Sequence, residues 1–197
     1  MQQRCGWCLN DPLNVDYHDH EWGVPLRDSQ RLFGKLILDG FQAGLSWLCV
    51  LRKRPGFEAV FCGFDPARMA RFGAADTARL MHDPGIVRNR AKIEAAVRNA
   101  RAYCCLAASG TSLAEVVWGV TGGEVLQPSR RADGAAVTQT PQSKQLSADL
   151  KKLGFSFCGP VICYAFMQAV GVVNDHVTTC FRHPQLSGQG RRAPPGC

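Results

Sequence analysis

A chain of 197 residues is long enough to bury a core without disulfides and fits a single domain. Hydrophobic residues at 46% and charged residues at 20% exclude the disordered and fibrous classes, and no run nears the roughly 18 uninterrupted apolar residues of a membrane span. The net charge of +7 favours a polyanionic partner such as nucleic acid without identifying one.

In chain order the pattern is helical throughout, and period-two alternation is scarce, so the fold class is all-α. Asp28 or Ser29 caps a helix whose apolar positions Leu32, Phe33, Leu36 and Ile37 share one face and which ends near Gly40. Ser46 to Arg54 follows, broken by Pro55-Gly56. Asp65-Pro66 reads as a cap with proline at the first helical position, and Asp76 or Thr77 opens another short turn. Arg88 to Ala108 is the longest helix, closed by Gly110, and Ser112 to Trp118 is shorter. Gly119 to Thr140 is expected to be a long surface loop able to contact a partner. Helices resume at Ser143 to Leu153, turn through Gly154 to Gly159, and continue as Pro160 to Val170 and Asn174 to Phe181. The expected domain is 1–183, with a frayed tail over 184–197.

Ten cysteines suit a disulfide scaffold only in a secreted chain, and Met1-Gln2-Gln3-Arg4-Cys5 opens no apolar signal segment. A reducing cytoplasm is the expected compartment, with Cys49, Cys62, Cys104, Cys105 and Cys163 as small buried hydrophobes. The basic residues Arg52-Lys53-Arg54, Arg88, Arg90, Lys92, Arg130-Arg131 and Lys151-Lys152 fit a solvated face and a phosphate contact equally well.

Two features carry chemistry. The glycine-flanked segment Gly154-Phe155-Ser156-Phe157-Cys158-Gly159 has the composition of a helix-hairpin-helix over about 143–171, whose backbone N–H groups and positive helix end suit a DNA phosphate. From Phe155 to Asn174 there is no Lys, Arg, Asp, Glu or His, so the second helix can be buried but offers no charged catalytic group. His176 and Cys180 stand at i and i+4, able to share a metal if helical, and Cys5 and His18 can complete a tetrahedral set. Cys5-x-x-Cys8 is a rival ligand pair or a redox pair.

The stretches Arg4-Cys5-Gly6-Trp7, Asp11-Pro12-Leu13, Tyr17-His18-Asp19, Glu21-Trp22-Gly23-Val24-Pro25, Gln42-Ala43-Gly44-Leu45-Ser46-Trp47 and Val173-Asn174-Asp175-His176-Val177 resemble the motifs of the 3-methyladenine DNA glycosylase I family, from Arg4 to about His183. The resemblance implies a bacterial helix-hairpin-helix glycosylase acting on alkylated double-stranded DNA. It implies one structural zinc on Cys5, His18, His176 and Cys180, joining the two ends of the domain and setting Cys8 aside. No redox or nucleotide cofactor and no obligate protein partner is expected. Tyr17, Trp47 and an acidic residue at position 39 become the catalytic pocket, with Trp7 and Trp22 nearby and Gln42 or Leu45 as the wedge that fills the gap of a flipped nucleotide. Gly154, Phe155 and Gly159 become the DNA-contacting hairpin.

Two departures matter. The family carries Glu-Gly where this chain has Asp39-Gly40, which sets the carboxylate about 1.5 Å further back unless the pocket or a water compensates. Relatives within the wider superfamily place an aspartate where Asn174 stands, and bifunctional ones a lysine within the preceding helix, so a monofunctional enzyme is expected. Loss of excision would leave a non-catalytic zinc-containing DNA-binding protein. A zinc hydrolase or deaminase is disfavoured by four-ligand closure and by the lack of a His-x-Glu with Pro-Cys-x-x-Cys arrangement.

Overall fold

The computed structural model describes residues 2–128 and 137–187. Among these, every regular element is helical, apart from one isolated bridge between Leu126 and Val173. The helices are α1 (Pro12–His20), α2 (Ser29–Gln42), α3 (Trp47–Val60), α4 (Pro66–Met69), α5 (Ala74–His82), α6 (Arg90–Ala108), α7 (Leu113–Gly119), α8 (Pro141–Lys152), α9 (Pro160–Ala169) and α10 (Arg182–Leu186).

The centre of the fold is α2, which packs against α3, α6, α7 and α9. Its start is set by Asp28, whose side chain accepts from Arg31 N at 2.7 Å, and its strong amphipathic pattern buries Leu32, Phe33, Leu36, Ile37 and Phe41. Each such side chain contributes about 1.5–3 kcal/mol of transfer free energy. The helix does not stop at Gly40 as its sequence suggests; it runs on to Gln42. Lys92, at the start of α6, donates to the carbonyls of Phe41 at 2.8 Å and Ala43 at 2.6 Å, which satisfies orphan acceptors at that end. Lys92 is therefore a buried cap, not a phosphate contact.

Three further expectations are corrected. Pro55-Gly56 does not break α3, because Pro55 is exposed while Phe57 and Phe61 anchor the following turn in the core. Gly56 is required there: a Cβ would lie 2.4 Å from Gly85 O. α1, absent from the expected elements, opens on Asp11-Pro12, the same cap-plus-proline signal as Asp65-Pro66. Residues 174–181 are turns and not a helix, since Asn174 N donates to Leu126 O at 2.9 Å and Cys180 N to Val177 O at 2.8 Å.

α8 begins at Pro141 under a Thr140 cap, two residues before the expected start. Within the expected loop over 119–140, Leu126 N bonds to Val172 O at 2.9 Å, and Arg130-Arg131 lie outside the described residues. The start of the expected tail, through Leu186, is part of α10, with Leu186 buried; residues 188–197 lie outside the described residues. No helix among the described residues is long and apolar enough to cross a membrane.

Candidate active site

A cavity of about 190 Å³ opens between α1, α2, α3 and α9, lined by Trp7, Tyr17, Trp22, Lys35, Asp39, Gln42, Trp47, Ala165, Gln168 and Ala169. Tyr17 and Trp47 lie against each other, tilted by 41° with ring centroids 5.1 Å apart, and Trp7 lies edge-on to Trp22 at 5.1 Å. Trp7 is 40% exposed while Tyr17 and Trp22 are buried, so the cavity is deep-walled with an aromatic lip. The uncharged α9 supplies its back wall through Ala165, Gln168 and Ala169, as a helix without ionisable residues can. Burial, reinforced by the negative charges of Asp39 and Glu21, pushes the Tyr17 hydroxyl well above its ordinary range and keeps it a neutral donor.

Two charged side chains line this cavity, and one of them, Lys35, escaped the sequence reading. Lys35 and Asp39 sit one turn apart on α2 and form a buried ion pair through Asp39 Oδ1. Burial pushes the Lys35 ammonium down and the Asp39 carboxyl up, and the attraction between them opposes both drifts. Asp39 Oδ2 is buried with no hydrogen-bond partner, as is Trp47 Nε1, and the Lys35 ammonium lies 4.1 Å from the centre of the Trp47 ring. Unsatisfied buried acceptors are costly in a dry site, so Oδ2 is an atom that a ligand's N–H would satisfy.

Behind the aromatic wall, Cys5, His18, His176 and Cys180 place their four donor atoms within 4.8 Å of one another, all buried. Sulfur-to-nitrogen separations are 3.6 Å for Cys5–His176, 3.5 Å for Cys180–His176 and 3.4 Å for Cys180–His18. Tetrahedral bonds of about 2.3 Å to sulfur and 2.0–2.1 Å to nitrogen give edges of about 3.5 Å, so the spacing fits such an ion. The outer contacts orient both rings. His18 Nδ1 meets Asp19 at 2.8 Å, Asp19 is held by Arg4, and His176 Nε2 donates to Trp22 O at 3.2 Å. A carbonyl only accepts, so Nδ1 of His176 faces the thiols with its lone pair free.

Gly23 lies against this ring at φ +82, where a Cβ would stand 2.9 Å from His176 Nε2. Burial pushes the Cys5 thiol up to about 12 and His176 down to about 3, the shifts expected of uncompensated donors and reversed by a bound dication. Cys8 takes no place in the cluster; its thiol donates to Cys5 O at 3.1 Å.

The hairpin between α8 and α9 has two distinct ends. Gly154 N and Phe155 N bond to Lys151 O and Leu150 O, closing α8 in a Schellman pattern, and the Phe155 ring is buried. Asn99 on α6 brackets Ser156, accepting from its N–H at 2.8 Å and donating to its carbonyl at 3.0 Å. The first turn of α9, after Gly159-Pro160, retains free N–H groups in the manner of any helix start. Phe157 and Val161 are exposed beside it, and Phe157 lies against Gly40 of α2.

Gln42 lines the cavity, while Leu45 projects from the following turn at 41% exposure and so is not core. Asn174 is turned away from the cavity, donating to Gln127 at 2.8 Å and to His183 O at 3.1 Å. Of the basic run, Arg52 pairs with Asp11, Lys53 bonds Pro84 O and Arg54 pairs with Glu21; Arg88, Arg90, Lys151 and Lys152 remain exposed.

A helical enclosure of an aromatic, carboxylate-bearing cleft beside a Cys₂His₂ cluster defines a class of pocket suited to one planar base. The methyladenine glycosylase family model matches residues 7–183. DNA-3-methyladenine glycosylase 1 of Escherichia coli (strain K12) is 46% identical over 182 residues, covering 92% of this chain and 97% of that one. A crystal structure of a 3-methyladenine DNA glycosylase I superposes with a TM-score of 0.91 at 48% identity, covering 92% of this chain and all of that one. A second, from Staphylococcus aureus and concerned with 3-methyladenine recognition, gives 0.88 at 37% identity, covering 92% and 96%. The chain belongs to the methyladenine glycosylase family.

Proposed function

We propose that this chain hydrolyses the N-glycosidic bond of 3-methyladenine in alkylated double-stranded DNA, leaving an abasic site. The observation that carries the reading is the buried Asp39 Oδ2, unpartnered at the floor of a cavity walled by Tyr17 and Trp47. Family membership and relatives named for this base support it.

A base turned out of the duplex loses its stacking, and contact with the aromatic wall that Tyr17 and Trp47 form restores part of it. Methylation at N3 leaves the base cationic and its glycosidic bond weakened, so little acid catalysis is needed. Aromatic faces and the Asp39 carboxylate favour that cation, which serves both selection and bond breaking. Tyr17, held neutral, offers no phenolate base; it can stack or hydrogen-bond through its hydroxyl. Water then attacks C1′ of the sugar. Asn174, bonded away from the cavity, takes no part, and α9 supplies no lysine for a Schiff base, which supports a monofunctional enzyme.

The hairpin reading is narrowed to the start of α9. With the N–H groups of Gly154 and Phe155 spent on α8, phosphate contact falls to the turn following Gly159, with exposed Lys151 near it. Leu45, exposed next to Trp47, is the better wedge, and Gln42 reaches the base. Cys5, His18, His176 and Cys180 would hold one zinc whose chemistry is structural, because four protein ligands leave no position for a reacting water. The described cysteines, all unpaired thiols, suit the reducing cytoplasm in which DNA repair operates.

The test is chromatography of the bases freed from methylated DNA by purified protein. Release of 3-methyladenine is expected; salt-sensitive binding with no freed base would assign the chain to the non-catalytic alternative.

A further inference from the structure

Lys35 has no role in the mechanism above, yet its ammonium is inside the base cavity. α2 sets Lys35 and Asp39 one turn apart, with side chains 9% and 2% exposed, and both line the cavity. Asp39 Oδ1 takes the ammonium, and Oδ2 is buried and unpartnered. The ammonium also rests 4.1 Å from the Trp47 ring centre, so it shares the wall against which the base stacks.

The other charges facing this pair are few. Glu21 follows α1 and is held by Arg54 of α3 at 2.7 Å; Arg54 in turn lies 5.7 Å from the Tyr17 ring, and Tyr17 itself is neutral. The cavity-lining residues of α9 are Ala165, Gln168 and Ala169, none of which titrates. Lys35 is thus the nearest positive charge to Asp39. A lone carboxylate this deep takes up a proton, which would convert its acceptor oxygens into one donor and one acceptor. Contact with an ammonium works against that uptake and favours the charged form.

We propose that Lys35 is a specificity-determining residue of the base pocket: it holds Asp39 as a carboxylate and stands beside it as a donor, so that the cavity floor reads an adjacent acceptor and donor on the base. Adenine presents that pair as N7 and its N6 amino group, whereas guanine presents two acceptors, N7 and O6. The 3-methylguanine cation carries the same charge as the adenine lesion but sets O6 against Oδ2. The attraction of the aromatic walls for a cation therefore selects methylation, and the Lys35–Asp39 pair, neutral overall, selects adenine. This rests on the glycosylase reading above.

The experiment is quantification of 3-methyladenine and 3-methylguanine released from methylated DNA by the wild type, Lys35→Met and Lys35→Arg, from pH 6 to 9. The wild type is expected to hold a constant ratio favouring adenine. In Lys35→Met a protonated Asp39 can donate to O6, so the ratio falls about tenfold or more at the acid end and recovers as pH rises, by at most about one decade per pH unit. Lys35→Arg keeps the charge and the wild-type ratio, and carries the test if the Met variant does not fold.

Equal loss of both bases at every pH in Lys35→Met, or a collapsed ratio in Lys35→Arg, overturns the proposal. A wild type that frees 3-methyladenine and 3-methylguanine alike overturns it while leaving the glycosylase reading intact. A wild type that frees neither overturns both.

Discussion

Asp39→Asn keeps the shape of the cavity floor and removes its negative charge, which strands the Lys35 ammonium at 9% exposure without a counter-ion. Breaking one partner of a buried pair costs about 3–5 kcal/mol, or a Tm lowered by roughly 10 °C in a chain of this size. The loss has a definite pH dependence. Burial already depresses Lys35 in the folded protein, and without Asp39 it is depressed further. The unfolded state then binds more protons than the native state, so the variant regains stability as pH climbs toward the ordinary lysine value of about 10.4.

Thermal unfolding by circular dichroism at pH 7 and pH 9.5 measures this directly, the gap to wild type being expected to narrow at the higher pH. Excision of 3-methyladenine should fall on the order of a hundredfold, as when one preorganised polar partner of a developing charge is lost. A variant with wild-type Tm at both values and wild-type excision would refute the buried pair and its place in the pocket.

Trp47→Ala removes one wall of the slot and is expected to cut excision at least tenfold while nonspecific DNA affinity, read by fluorescence anisotropy, stays within twofold. Cys180→Ser removes a donor common to two of the sulfur–nitrogen contacts; zinc content by emission spectroscopy and Tm should fall together, and unchanged stoichiometry would strike Cys180 from the ligand set. Asn99→Ala leaves Ser156 N–H and C=O unpaired, a cost of about 2 kcal/mol. It should weaken DNA binding several-fold while free 3-methyladenine binds as tightly as before, since Asn99 holds the hairpin and not the pocket.

The features legible in the sequence were those carried by local periodicity or by long unusual motifs. Leu32, Phe33, Leu36 and Ile37 announced α2 because one amphipathic stripe suffices, and the hydrophobic, uncharged Pro160–Ala169 announced a buried helix. The Cys5, His18, His176 and Cys180 set was readable, although the helix invoked to align its last two members is a series of turns. Donor geometry there depends on the tertiary contact of His176 to Trp22 O and on the grip of Arg4 on Asp19, which no spacing encodes.

Lys35 was legible in principle, four residues before Asp39 on a helix, but a lysine on a core helix reads as a solvent-facing charge until the cavity behind it is known. Lys92 was misread for the same reason. Pro55 misled because proline's cost falls on the helix bond it deletes, and buried Phe57 and Phe61 outweigh it. Asn174 stands, by analogy, where the wider superfamily has a catalytic acid, yet its amide nitrogen is taken by Gln127 and the His183 carbonyl, and the pairing with Gln127 joins segments far apart in sequence.

The central claim is that the Tyr17–Trp47 cavity holds the excised base. Its most direct test is a crystal structure of the protein soaked with free 3-methyladenine. The account predicts the base lodged in that cavity against those two rings, with its amino group on Asp39 Oδ2. Density for the base elsewhere on the protein, with that cleft still empty, would contradict it.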